Sequence, residues 1–363
     1  MNLQEVAARV EEILSALDFN ALFEGFHPYR FALYDSREIC LDGRRMPYRE
    51  EFRGNTSIEF EGEFIAIWDY GSDPLEDREL LAYLLVHEMF HCHQNAKHEA
   101  RWPSDLALLK DPGDVENFTV KYNENLFLAD CYERCDMEAL KKFTALRDRR
   151  SAQYPAAAEQ EQKAETIEGM AEYIGLKALR AIAPEKFASA VEQDLKLLRG
   201  ESALLFDARK LSYYTGALFF LCLEQLGAEV RNDFSDGRTA YAQNRIAGAA
   251  PAPEPRQFAF IEREYERQMR EKEKRIAEHI ARSSYTPCEA WICGYDPMNM
   301  FRVEDRLYCS HFVCLNENGS GKAYQTPILL ELKHGSDREI RGYYMKTDEE
   351  CAPERAVGKE RNA

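Results

Sequence analysis

Nowhere in these 363 residues is there a run approaching the roughly 18 apolar residues that a membrane-spanning helix needs. The most apolar stretch, 213–226, is shorter and holds Glu224 and Gln225, so no membrane partner is expected. Positive charge is also scarce: 47 Lys and Arg stand against 64 Asp and Glu, a formal net charge of −17. A nucleic-acid binder would carry a basic footprint, so no nucleic-acid partner is expected either. Missing as well is a basic segment followed by an apolar one at the start. The opening, MNLQEVAARVEEILSALDF, carries acids from its fifth residue onward, which argues against a secretory leader and for a cytoplasmic protein. Ten cysteines without such a leader read as reduced thiols. No internal repeat is visible.

What is present is a chain that is 45% hydrophobic, enough for a real core, and long enough for two or three domains. Helical spacing of Leu3, Val6, Val10, Ile13, Leu14 and Leu17 predicts a helix over 3–17. Residues 28–70 change to short strands, with a hairpin of 58–60 and 64–68 around Glu61-Gly62. Ser72-Asp73 offers an N-cap, Pro74 a first helical residue and Glu76-Asp77 an acidic first turn, so a helix is expected over 74–96. Further helices are expected at 116–150, 160–182, 185–199 and 205–226. The Pro-rich stretch 248–255 reads as a linker, and 257–282 as a charged strut with one narrow apolar stripe. Strand-and-turn patterning from 286 suggests a small β module. The domain expectation is therefore 1–250 for a main domain (β-rich 28–70, helical 74–226), 251–285 for linker and charged helix, 286–348 for a β domain, and 349–363 for a flexible tail.

The chemistry concentrates in His87-Glu88-Met-Phe-His91. Residues i and i+4 share a helix face, so His87 and His91 can reach one ion, and Glu88 can reach a water there without being a ligand. A zinc ion lowers the pKa of such a water toward about 7, and a carboxylate can then take its proton. Only eight histidines occur in the chain, which makes a chance match rare. Catalytic zinc needs a third protein ligand, and the best candidate is Glu168 in Glu168-Gly-Met-Ala-Glu172-Tyr173. Small residues beside it let a second helix approach. Glu172, one turn on, can accept the far N–H of a ligating histidine.

This pairing of HExxH with a downstream Glu-Gly-x-Ala-x-Tyr helix resembles the gluzincin metallopeptidases, and among them poorly characterised bacterial zinc peptidase-like families. The thermolysin-like members use Glu-x-x-x-Asp where this chain has Glu168-x-x-x-Glu172, and a shorter spacing between the two motifs. The resemblance covers the two helices that carry the motifs. It implies a zincin-like fold, a Zn2+ ion held by His87, His91 and Glu168, and a peptide or protein substrate. It also implies Glu88 as general base, a tyrosine near the ion to stabilise an oxyanion, and an upstream strand in 58–68 that pairs with an extended substrate. Tyr213, three residues before Gly216, is the first candidate for that tyrosine and Tyr214 the second; both also suit an aromatic core.

Other residues also invite a chemical reading. His93 lies about 200° around the helix from His91 and is expected to be supporting or at the surface, with His98 facing solvent. Glu88-x-x-His91 also fits half of a di-iron site, but no second Glu-x-x-His falls on an expected helix. Cys288-x4-Cys293 and Cys309-x4-Cys314 are poorly spaced for zinc and read as ordinary thiols. Arg147 to Arg150 reads as positive charge at a helix end, with substrate-carboxylate binding as the alternative. The expectation is thus an α+β protein: a mainly helical zincin-like metallopeptidase domain with a small N-terminal β region and a C-terminal β module. The rival readings are a zinc-binding regulatory or protein-interaction module without catalysis, and a protein whose β module carries the function.

Overall fold

A computed structural model describes residues 2–346 apart from 111, 247–251 and 318. The expected tail 349–363 and part of the expected linker, 248–251, lie outside the described residues. The protein is α+β, with a helical body between two sheets.

Helix α1 (Leu3–Ser15) starts on a capping box: the Asn2 side chain accepts from Glu5 N, and the Glu5 carboxylate accepts from Asn2 N. A single turn, α2 (Phe19–Leu22), follows. The first sheet holds β1 (Phe31–Tyr34), β2 (Glu38–Leu41), β3 (Arg44–Pro47), β4 (Thr56–Phe60) and β5 (Glu63–Asp69) in the order β3-β2-β1-β5-β4. Its pairs are antiparallel except β1 with β5. The β4–β5 turn falls on Glu61 and Gly62, both at positive φ, as a two-residue hairpin requires. Leu33, Cys40, Ala66 and Trp68 face the helical core, while Ala32, Tyr34, Ile39, Ile65 and Ile67 close a second cluster on the other face. Strand β4 is the edge, so one side of its backbone is left unpaired within the sheet.

The helices are α3 (Arg78–Ala96), α4 (Asp105–Leu108), α5 (Val115–Arg134), α6 (Met137–Gln153), α7 (Pro155–Ala164), α8 (Met170–Ile182), α9 (Pro184–Arg199), α10 (Ala208–Gln225), α11 (Ala240–Asn244) and α12 (Ala259–Ala281). Two of these correct the expectations. Helix α3 starts at Arg78, not 74, because Asp77 caps it by accepting from Glu79 N and Leu80 N. Asp73 is unavailable: its carbonyl accepts from the Trp68 indole, and its carboxylate meets Asn55. The single helix expected over 116–150 is two, α5 and α6. The chain breaks at Cys135, in the left-handed conformation, and restarts at Asp136, which caps Glu138 N. Helices α7 and α8 are joined without a break by a π-helical turn, Glu165–Gly169.

The second sheet is antiparallel: β6 (Ser284–Tyr295), β7 (Met300–Val303), β8 (Arg306–Cys309), β9 (Val313–Glu317), β10 (Ser320–Tyr324), β11 (Ile328–Leu332) and β12 (Glu339–Met345), in the order β10-β9-β6-β12-β11-β8-β7. Ile276 of α12 packs on Tyr308 and Leu329. The sheet's own core, around Ile292, Leu315, Leu330 and Ile340, is completed by Leu106 of α4.

Candidate metal centre

The site is built where α3 crosses the π turn and α8. Tyr83, His87, His91 and Gln94 form a ladder down one face of α3, at the i, i+4 and i+3 spacings that share a face. Each rung meets the opposite segment. Tyr83 donates to Glu172 Oε1, His87 Nδ1 lies 3.0 Å from Glu172 Oε2, and Gln94 Nε2 donates to the Ile167 carbonyl at 3.0 Å. Gly175 admits the Tyr83 ring, since a Cβ there would stand 3.0 Å from it.

His87, His91 and Glu168 come together, all buried. The separations are 3.1 Å between the two Nε2 atoms, 3.1 Å from His91 Nε2 to Glu168 Oε2, and 3.7 Å from His87 Nε2 to the same oxygen. Tetrahedral ligands at zinc-like bond lengths stand about 3.3 Å apart, so the triangle fits one ion. Proton bookkeeping gives the same answer. Gln94 gives its NH2 to a carbonyl, so its oxygen faces His91 Nδ1, 2.7 Å away, and that nitrogen must donate. His87 Nδ1 faces a carboxylate and donates too. In the neutral rings both Nε2 atoms are then bare lone pairs, aimed at each other and at a carboxylate oxygen. Three acceptors converging on one buried point call for a cation.

The electrostatics agree. Burial opposes a charged His87, yet hydrogen bonds to Glu168 and Glu172 outweigh it and raise its pKa to about 10. Burial likewise opposes ionisation of Glu168, but His91, His87 and Arg209 hold its carboxyl well below the usual range. The acids thus draw positive charge into the pocket even at the cost of burial. Glu88, next to His87 on α3, is raised, first by burial; His87 and His91 pull it down, while Glu168 and Glu172 push it up. A carboxyl raised in this way suits a group that must take and return a proton.

Tyr213 lies flat on the His87 ring, centroids 5.7 Å apart and planes within 6°, and its hydroxyl bonds to Glu168. Tyr214 turns the other way, toward Asp194 and Glu172, and packs on the core. On the opposite side stands Trp102, 41% exposed, with its ring 6.4 Å from that of His91. Its indole donates to the Glu99 carbonyl, and Glu99 is held by a fully buried ion pair with Arg101.

Several residues here were missed. Gln94 was legible as i+3 from His91. Arg209 sits one turn before Tyr213 and donates to Glu168 Oε1 at 3.0 Å, but nothing local signals a partner 41 residues away. Two expectations are corrected. Arg150 does lie in the last turn of α6, but it and Arg147 serve neither a helix end in solvent nor a substrate carboxylate: both are buried in a cluster with Glu124, Glu161 and Glu165. The side chain of α6 at these positions points at α5 and the π turn rather than outward.

His93, too, is not at the surface. It is fully buried on the far side of α3, among Phe23, Phe26, Phe90 and Phe234. Neither ring nitrogen has a hydrogen-bond partner among the described residues. Burial pushes this imidazole down to about 4, with Lys97 and His27 adding to the effect, so it is neutral. An unmet buried polar group costs about 1–3 kcal/mol. His93→Phe, which matches the nest in shape, is therefore expected to stabilise the protein by about 1 kcal/mol or more in denaturant unfolding. A destabilised variant would mean the imidazole is bonded in solution.

No helix among the described residues is long and apolar enough to cross a membrane. No protein-family model, curated protein or solved structure matches this chain.

Proposed function

We propose that this chain is a zinc-dependent hydrolase of peptide or related amide bonds, with a zincin-like arrangement of one edge-stranded sheet over a motif-bearing helix. The reading is carried by one observation: the Nε2 atoms of His87 and His91 and a carboxylate oxygen of Glu168 converge on one buried point, with the far nitrogen of each ring held by Glu172 or Gln94. Three protein donors leave a tetrahedral ion one open position, which separates a catalytic centre from a closed structural one and weighs against the non-catalytic zinc module.

His87, His91 and Glu168 would hold the ion, with Glu172 and Gln94 fixing the two rings. A zinc ion there would polarise the scissile carbonyl and bring a water's pKa toward neutrality. Glu88 takes the proton as the water oxygen bonds to the carbonyl carbon. It then returns that proton to the nitrogen as the C–N bond breaks, so the amine leaves neutral. Tyr213, flat against His87, would donate to the oxyanion that develops on the carbonyl. The substrate is expected to lie extended along β4, whose outer edge offers unpaired backbone groups. Asn95 of α3 ties this strand to the motif helix through Ser57.

The test is metal content by elemental analysis on protein made without a histidine tag, followed by peptide-library cleavage. About one zinc per chain is expected in the parent and loss in His91→Ala and Glu168→Ala. Glu88→Gln should keep the zinc and cut at least a hundredfold more slowly, the scale of a lost general base. A parent that takes up no zinc after reconstitution sinks the reading. Zinc without cleavage of any peptide turns it toward a binding module.

A further inference from the structure

Glu168 offers its two oxygens to different partners. Oε2 faces the histidine pair, while Oε1 accepts from Arg209 at 3.0 Å. Arg209 uses its other terminal nitrogen to bond Asp105. Asp105 is the first residue of α4, a single turn capped by Ser104, whose own N–H donates to Gln160 at 2.7 Å. The next residue, Leu106, leaves the helical body altogether. It is 1% exposed and sits in the core of the second sheet among Ile292, Leu332 and Ile340. The sheet, α4, Arg209 and the carboxylate thus form one line of direct contacts. Its far end is a packed apolar core, which resists continuous deformation.

We propose that Arg209 is a positioning residue that keeps Glu168 to a single metal-facing oxygen, and that the second sheet sets the metal centre through Leu106 and Asp105. This rests on the metal-centre reading above. A carboxylate free at both oxygens could swing to offer both to an ion, which would add a donor atom and take up the open position. Arg209 prevents this by occupying Oε1, and its positive charge leaves the ion more electrophilic. Partners of this kind, one bond beyond the ligands, typically change metal affinity by about ten- to a hundredfold. The sheet's role is then to aim Arg209, which gives a module remote from the motif a part in the chemistry.

The test is cobalt(II) binding to the full-length protein, read as affinity and as the visible absorption that reports coordination number. The variants are Arg209→Met, Arg209→Lys, Asp105→Asn and Leu106→Ala, each checked for folding by circular dichroism. Arg209→Met is expected to weaken binding about tenfold or more and to lower the absorption, as a fifth donor atom does. Arg209→Lys should restore part of the spectrum. Asp105→Asn and Leu106→Ala should shift it in the same direction by less, although Leu106 has no contact with a ligand. Asp105→Asn changes no packing and so carries the test if Leu106→Ala fails to fold. A parental spectrum in Arg209→Met overturns the proposal. A parental spectrum in both Asp105→Asn and a folded Leu106→Ala removes the sheet from it. A parent that binds no cobalt overturns the metal centre itself, a result visible before any variant is compared.

Discussion

Arg147→Met is expected to destabilise the protein by about 3–5 kcal/mol, the cost of leaving a buried charge without its partner. The Arg147 guanidinium is 2% exposed. It donates to Glu124 Oε2 at 3.1 Å and to Glu165 Oε2 at 2.6 Å, and it stacks on Phe143 and Tyr241. Methionine fills much of the volume between those rings, so packing is largely kept and the charge is what is lost. Glu124 retains Arg150. Among the described residues, Glu165 then keeps only the Thr215 hydroxyl, at 2.6 Å, which cannot balance a buried carboxylate. Removing that carboxylate as well, in Arg147→Met with Glu165→Gln, is expected to recover a large part of the loss. The coupling in the double-mutant cycle, read by denaturant unfolding, should be about 1–3 kcal/mol. Independent, additive losses would show that the pair contributes through packing alone. Glu165 opens the π turn that carries Glu168, so the single variant should also bind metal more weakly.

That cluster marks the limit of what the sequence discloses. His87, Glu88 and His91 are legible because one helix face carries them all, and Glu168 with Glu172 because Gly169 and Ala171 betray a close helix approach. The Glu61-Gly62 hairpin is legible for the same local reason: its turn chemistry lies in two adjacent residues. Arg147 and Arg150 are different. Their partner Glu124 lies 23 and 26 residues back, on a helix that becomes antiparallel to theirs only once the chain breaks at Cys135 and Asp136. Read as one long helix, 116–150 hides that pairing, and the arginines look like terminal charge. Arg209, Asp105 and Leu106 are hidden likewise, because contacts across 41 and 104 residues leave no periodic signal. The π turn is hidden too. It lets Glu165 and Glu168, three residues apart, serve different neighbours: Arg147 and Thr215 for one, the histidine pair for the other.

The same crossing makes Gly216→Val the second large effect, with an expected loss of about 3 kcal/mol or more and a failure to hold metal at the parental affinity. A Cβ on Gly216 would stand 2.7 Å from Gly169 Cα and 3.1 Å from the Glu165 carbonyl oxygen; one on Gly169 would stand 2.6 Å from Gly216 Cα. These neighbours are backbone atoms, so no side chain can rotate aside and the helices themselves must part. Valine is a slightly better helix former than glycine, by a few tenths of a kcal/mol, which is too little to offset the clash. Parting α10 from the π turn acts on the centre from two sides. Glu168 immediately precedes Gly169, and Tyr213, three residues before Gly216, is stacked on His87. Gly216→Ala should do the same in smaller measure. Gly237→Ala, where nothing lies within 4 Å of the added carbon, should change neither property. Unfolding curves and metal titrations on the three variants check this together. If Gly216→Val keeps parental stability, the close crossing is absent in solution. If it loses stability but holds metal as tightly as the parent, the position of Glu168 does not depend on how closely the two helices approach.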